Sequence, residues 1–407
     1  MSRAVAIFIC LCVFPGLGQS QTYVVANNDA PFSNRLSFYT IGATGLLSLK
    51  QEVLTEGAGI GGGYFATNRV SMVSSGTNQC VYASNPASGD ISGINANTLE
   101  FTSSASGSST DGGTSNGIGL AMNAQYLYAS FTDSNTIGTF QVESGCGLMF
   151  VNDVSVAGLQ GGIIDGMAIS GNILVVTYGD GSIESFNISS GPPVSNGDEQ
   201  NSTAYVTSTG ATYPSAVEIT QDGHYALFGD TSTSTVIEVS DISSGQLSKT
   251  VAYTLGSSIG SSNIMLSPDE TLLYISNNQG DQITAAWFNA STGALTAGCT
   301  SGKLRDYGAE WSYLAGLALE TNSTTGGMVY VAEFGNPDSS SHIGMVQVGS
   351  VGGKCTLQEA ASSPALEFSL GGLLSIGTFP PRSFSGVRRK AAVDWLGDQS
   401  MRVSRCW

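Results

Sequence analysis

The feature that most constrains this chain is a β-strand unit that returns seven times. Its core strand reads YVVANN (23–28), VYASN (81–85), YLYASF (126–131), ILVVTYG (173–179), YALFGD (225–230), LLYISNN (272–278) and VYVAEFG (329–335). From Tyr82 onward the copies stand about 45 to 56 residues apart, near the period of four-stranded propeller blades. After each comes a polar loop and a second strand: RLSFYTI, ISGI, TIGTFQV, SIESFNI, TVIEVSD, ITAAWFN and IGMVQV. Several of these turn through Gly into a third strand (TGLLSL, SGQLSK, TGALTA), and SAVEITQDG and NIMLSPDE precede the core strand as opening strands. No helical stripe of useful length interrupts the pattern. A β-sandwich would not bring its strands in phased sets of four. The pattern therefore predicts an all-β, seven-bladed propeller filling residues 21–385 as one domain.

The ends depart from the repeat. MSRAVAIFICLCVFPGLGQS carries one Arg, an apolar run and then small residues, which predicts a secretory signal peptide over residues 1–20. The run is too short to span a bilayer, and no later segment is a candidate span. An extracellular or cell-wall-associated monomer is expected. At the other end FPPRSFS (379–385) resembles an opening strand with no core strand after it, so the last blade reads as incomplete. Residues 386–407 read as an atypical basic tail or a gene-model artefact.

Sequons at Asn187, Asn201, Asn289 and Asn322 are usable behind such a signal in a eukaryotic host. Cys10 and Cys12 would leave with it. Cys299 and Cys355 occupy matching places in consecutive repeats and are expected to pair, as are Cys80 and Cys146, which leaves Cys406 over.

Charge narrows the function. The net charge of −17 reflects few bases: 14 Lys and Arg against 31 Asp and Glu, with no Lys or Arg between Arg69 and Lys249. Nucleic acids and anionic membranes are bound through basic patches, so neither is an expected partner of the propeller body. Each polar loop after a core strand carries an Asp: Asp29, Asp90, Asp133, Asp180, Asp230, Asp281 and Asp338. Such loops share one face of a propeller. The Asp residues read either as turn chemistry, through their own side-chain hydrogen bonds, or as an acidic rim for a cation or polyol. No EF-hand or HExxH signature marks a metal, and no cofactor is expected. Gly57–Gly62 fits GxGxxG and Gly256–Gly260 fits GxSxG, but neither opens a helix, so both read as chance matches. DGGTSNG (111–117) reads as a flexible loop.

SPDETLLYISNN, the strand ITAAWF, STGALT and the closing FPPRSFS are similar to the lactonase family of seven-bladed propellers. That family includes bacterial-type 6-phosphogluconolactonases and fungal 3-carboxy-cis,cis-muconate cyclases, which are isomerases. The signal-like start, the sequons and WSYLAGLALE resemble its secreted fungal branch. The resemblance implies a His-Pro-His segment opening a central strand, with Arg and Glu on neighbouring blades around an anionic substrate. Here the first segment reads Tyr213-Pro214-Ser215, the Gly-Pro-Arg position reads Gly260-Ser261-Ser262-Asn263, and an expected Asn-Glu reads Asn277-Asn278. A further Asn-Arg reads Glu333-Phe334, and Arg382 alone keeps a motif residue. His224 and His342 read as solvated turn or loop-edge residues.

A charged lactone needs cationic donors at its site, and burying its anion unpaired would cost several kcal/mol or more. The expected ligand is therefore a small neutral lactone or a carbohydrate. Candidate ligand-site residues are Tyr213, Asp180, Asp230, Asn278, Glu333 and Arg382, with Glu333, Asp230 or Asp180 as a base for hydrolysis. The competing expectation is a non-catalytic extracellular glycoprotein that binds carbohydrate or protein through the rim.

Overall fold

The computed structural model describes residues 22–61, 68–75, 78–107, 117–202, 214–230, 235–256, 261–277, 281–305, 313–320, 327–334, 341–352, 354–366 and 375–379. They form seven antiparallel sheets, one per repeat, with four strands A to D in order from the axis outward. Blade 2 is Val70–Ser75, Asn78–Asn85, Asp90–Asn95 and Glu100–Ser106. Blade 3 is Ile118–Met122, Tyr126–Phe131, Thr136–Val142 and Leu148–Ser155. Blade 4 is Ile164–Ser170, Ile173–Tyr178 and Ser182–Asn187, its D position shared by Val194–Ser195 and Gln200–Asn201. Blade 5 is Pro214–Ile219, Tyr225–Asp230, Thr235–Asp241 and Ser248–Gly256. Blade 6 is Ser261–Leu266, Leu272–Asn277, Gln282–Asn289 and Ala294–Thr300. Blade 7 is Tyr313–Glu320, Met328–Phe334, His342–Val351 and Lys354–Glu359, with Ala365–Leu366 also paired to its C strand.

Blade 1 corrects the expectation of an incomplete last blade. Its A strand is Ser375–Phe379, and its B, C and D strands are Tyr23–Asn27, Arg35–Ile41 and Leu47–Leu54 from the other end of the chain. The B and C strands missing after residue 379 stand at the start of the chain. The A strand also lies earlier than FPPRSFS suggested, pairing Ile376 with Ala26.

The ring is held by seven apolar clusters, one for each blade-to-blade interface. B strands lie between two neighbouring sheets, so all five residues of Tyr23–Asn27 are buried. That explains why these strands read as near-continuous apolar runs. The outer strand Glu100–Ser106 alternates exposed and half-buried side chains, as an edge with one wet face must. A large apolar side chain withdrawn from water contributes about 1.5–3 kcal/mol. Each interface buries several, so packing rather than any single polar tie sets the ring.

Polar and covalent ties recur at the same places. The hydroxyls of Tyr128 and Tyr330 donate to the carbonyls of Gly191 and Gly45 in the C–D turn of the next blade, each at 2.7 Å. Cys80–Cys146 joins blades 2 and 3, and Cys299–Cys355 joins blades 6 and 7. Both pairings match the sequence expectation. Among the described residues no helix is long and apolar enough to cross a membrane.

Candidate functional site

Four consecutive blades open with a local irregularity. The register between strands A and B shifts at Ile164/Gly166 in blade 4, Pro214/Ala216 in blade 5, Ser261/Asn263 in blade 6 and Leu314/Leu317 in blade 7. Blades 1 to 3 keep an even A–B register. A bulge inserts an extra residue, bends the strand and re-aims a side chain, and bulges gather beside active sites. Each here lies where strand A begins and strand B ends, so all four line the mouth framed by the D–A and B–C connections. The segments on which the family resemblance implies site residues in blades 5 to 7 adjoin this row. Pro214 stands opposite Asp230, Ser261 opposite Asn277, and Leu314 opposite Glu333.

The structure thus places Asp230, Asn277 and Glu333 at one end of consecutive blades. Tyr213, Asn278 and Arg382 lie outside the described residues, as do residues 1–21 and 386–407, residues 257–260, residues 111–116, Asn322 and Asp338. The bulge of blade 4 carries a residue that sequence reasoning missed, Asp165, which is 4% exposed. Its signal was an acid inside the otherwise apolar run Ile163-Ile164-Asp165-Gly166-Met167. His342 is a correction. It is buried rather than solvated, because it opens strand C of blade 7 directly opposite Glu333, with Leu366 paired on its other side. His224 is exposed in a turn as expected, beside Asp222 at 3.1 Å.

Four of the B–C aspartates, Asp29, Asp90, Asp180 and Asp281, are engaged in the structure rather than forming a free acidic rim. Asp29 is wholly buried and pairs with the equally buried Arg69 at 2.5 Å. Asp281 pairs with Lys303 at 3.0 Å, and Asp90 accepts a hydrogen bond from the Asn85 amide at 2.6 Å. Asp180 accepts the backbone N–H groups of Gln160, Gly162 and Ser182 at 2.7, 2.9 and 3.0 Å, and the Ser182 hydroxyl at 2.6 Å. Partial burial pushes its carboxyl up, but these donors outweigh that and hold it below the usual range. Asp180 therefore organises a loop and is a poor base.

The glycine run first read as GxGxxG has the same use. A Cβ on Gly59 would lie 2.2 Å from the Asp29 backbone, and one on Gly57 would lie 2.5 Å from the Asn85 side chain. Gly162 likewise leaves room for the Asp180 carboxylate. These glycines let D–A connections wrap the B–C loops.

Among the described residues, cation supply at the mouth is small and already committed. Arg69 enters strand A of blade 2 with its guanidinium held by Asp29, and Lys303, though 63% exposed, faces Asp281. Arg305 is held by Glu359 and the carbonyls of Ala360 and Ala361 at the blade 6–7 periphery. Among the described residues no three acidic, imidazole or thiol side chains gather closely enough to hold a metal ion.

Comparison with known proteins agrees with this architecture. The family model described as "Lactonase, 7-bladed beta-propeller" matches residues 80–366. Among curated proteins none matches. A solved structure of a Bacteroides uniformis protein named "putative 6-phosphogluconolactonase" is 15% identical, covers 88% of this chain and 100% of its own, and superposes with a TM-score of 0.64. A Bacteroides fragilis protein of the same description is 17% identical over 90% and 99% of the two chains, at 0.61. A functionally unknown protein from Desulfotomaculum acetoxidans is 14% identical over 88% and 99%, at 0.58. At such identities the likeness carries the fold.

Proposed function

The chain belongs to the lactonase family of seven-bladed β-propellers, and from that premise we propose that its bulged mouth binds and opens an uncharged, sugar-like lactone rather than a phosphorylated or multiply carboxylated one. One observation carries the reading: among the described residues, the guanidinium that enters this mouth, that of Arg69, is fully buried against Asp29. An anionic substrate would have to break that pair, and leaving one charge of a buried pair uncompensated costs about 3–5 kcal/mol. A neutral lactone meets no such cost. The bulges support retention of a site, since they lie on the segments where the family resemblance places catalytic groups. Asp165 is the carboxylate assigned to polarise the attacking water. Supporting export, and with it the secreted branch of the family, are the N-terminal apolar run and the two disulfides.

The test is the ring-opening rate of δ-gluconolactone and of its 6-phosphate with purified protein near neutral pH. The reading expects acceleration of the neutral lactone only, reduced at least tenfold by Asp165→Asn. Faster opening of the phosphate ester would overturn it. Opening of both at the buffer rate would leave the competing reading, a non-catalytic glycoprotein that binds carbohydrate or protein.

A further inference from the structure

A cavity of about 270 Å3 lies in the channel between the A strands of blades 2 to 5 and the A–B turn of blade 6. It shares none of its lining with the bulged residues described above. Leu120, Met122, Met167, Val217 and Ile219 make much of its wall apolar. Among the described residues two charged side chains line it, Glu218 from strand A of blade 5 and Glu270 from the A–B turn of blade 6. Glu270 is oriented by the backbone N–H of Gln221 at 2.5 Å, which carries the turn of blade 6 onto that of blade 5. Among the described residues no basic side chain lines the cavity. The sequence explains why: blades 3 and 4 and the wall of blade 5 come from the stretch between Arg69 and Lys249, which holds no Lys or Arg.

We infer that this cavity is a binding site for a small organic cation, a primary ammonium group on a short apolar arm. The physical argument has three parts. Carboxylates of one sign in a concave, low-dielectric wall focus their field and concentrate counter-ions. A primary ammonium supplies three N–H donors to carboxylate and amide oxygens, while its alkyl arm takes the apolar wall, as small-molecule sites combine apolar lining with a few placed polar groups. A bare divalent ion fits poorly: such ions take six or more oxygens, and among the described residues no three suitable side chains converge. The inference is independent of the lactone reading, because it rests on other residues.

The experiment is isothermal titration of the full-length protein with n-butylammonium, with 1-butanol as the uncharged control of similar shape, and with calcium chloride. The ammonium is expected to bind at least tenfold more tightly than the alcohol, to weaken several-fold between about 0.05 and 0.3 M salt as screening lengths shorten, and to weaken several-fold in Glu218→Gln and in Glu270→Gln. Should either variant fold poorly, the alcohol control and the salt series on the unaltered protein still decide. Equal binding of ammonium and alcohol, no binding of either, tighter binding of calcium, or indifference to both substitutions would each overturn the inference.

Discussion

Tyr330 donates its hydroxyl proton to the carbonyl oxygen of Gly45 at 2.7 Å, joining the last blade to the first across a sequence separation of 285. Tyr128 makes the same bond from blade 3 to Gly191 of blade 4. Tyr82 holds the equivalent place in blade 2, yet among the described residues its buried hydroxyl has no partner. There the disulfide of Cys80 with Cys146 occupies the turn to which a tyrosine would otherwise bond.

These three tyrosines therefore predict a contrast within one repeat position. Tyr330→Phe and Tyr128→Phe each leave a carbonyl without its donor and should cost about 1–3 kcal/mol. Tyr82→Phe removes an unsatisfied buried hydroxyl and should be neutral or stabilising. Urea unfolding midpoints of the three variants check this; equal losses at all three positions would contradict it.

The buried pair of Arg69 and Asp29 gives a second test. Both side chains are 0% exposed, so removing either alone strands the other and should destabilise by about 3–5 kcal/mol. Replacing both together with apolar residues should cost less than the sum of the single changes. A double-mutant cycle read by chemical denaturation measures the coupling, and additive losses would show that the pair is not a unit.

Glu199, just before the second half of the split outer strand of blade 4, sets a pH dependence. Burial first, then the charges of Glu184 and Asp180, push its carboxyl above the ordinary range. A folded-state pKa above the unfolded one means the folded protein holds this proton more tightly. Its contribution to stability is thus full below the unfolded pKa and is lost as pH rises through the folded one. Glu199→Gln should flatten that loss just above the usual carboxylate range and stabilise the protein at neutral pH. Asp180 has the opposite sign: its contribution is full above the unfolded pKa and fades as pH falls through the lowered folded one. Thermal melts of Glu199→Gln and of Asp180→Asn across pH separate the two.

Removing Cys80–Cys146, which closes a sequence separation of 66, should cost about 2–5 kcal/mol. Cys80→Ser with Cys146→Ser, melted beside the untreated and the fully reduced protein, checks this. An unchanged midpoint would mean that packing of blades 2 and 3 alone sets the interface.

Most of the fold was legible because its B and C strands are buried on both faces and repeat with a turn signal after each. Closure was not legible. Strand Ser375–Phe379 finds its partner in Tyr23–Asn27, and no local pattern encodes a pairing across the whole chain. The site was legible only as a place. Register puts Asp230, Asn277 and Glu333 at one mouth, but which carboxylates are engaged depends on contacts between loops distant in sequence. Asp29 reads like any turn aspartate until Arg69 is found against it. His342 reads as a loop residue until Glu333 and Leu366 are found on either side of its backbone.

The claim on which the functional account depends is that, among the described residues, every cation at the mouth is already paired with a carboxylate and none is left for a multiply charged anion. Titration calorimetry with citrate and with 6-phosphogluconate at low ionic strength tests it most directly. The account predicts no saturable heat up to millimolar ligand. Stoichiometric binding in the micromolar range, weakened by salt and by substitution of Arg69, would contradict it.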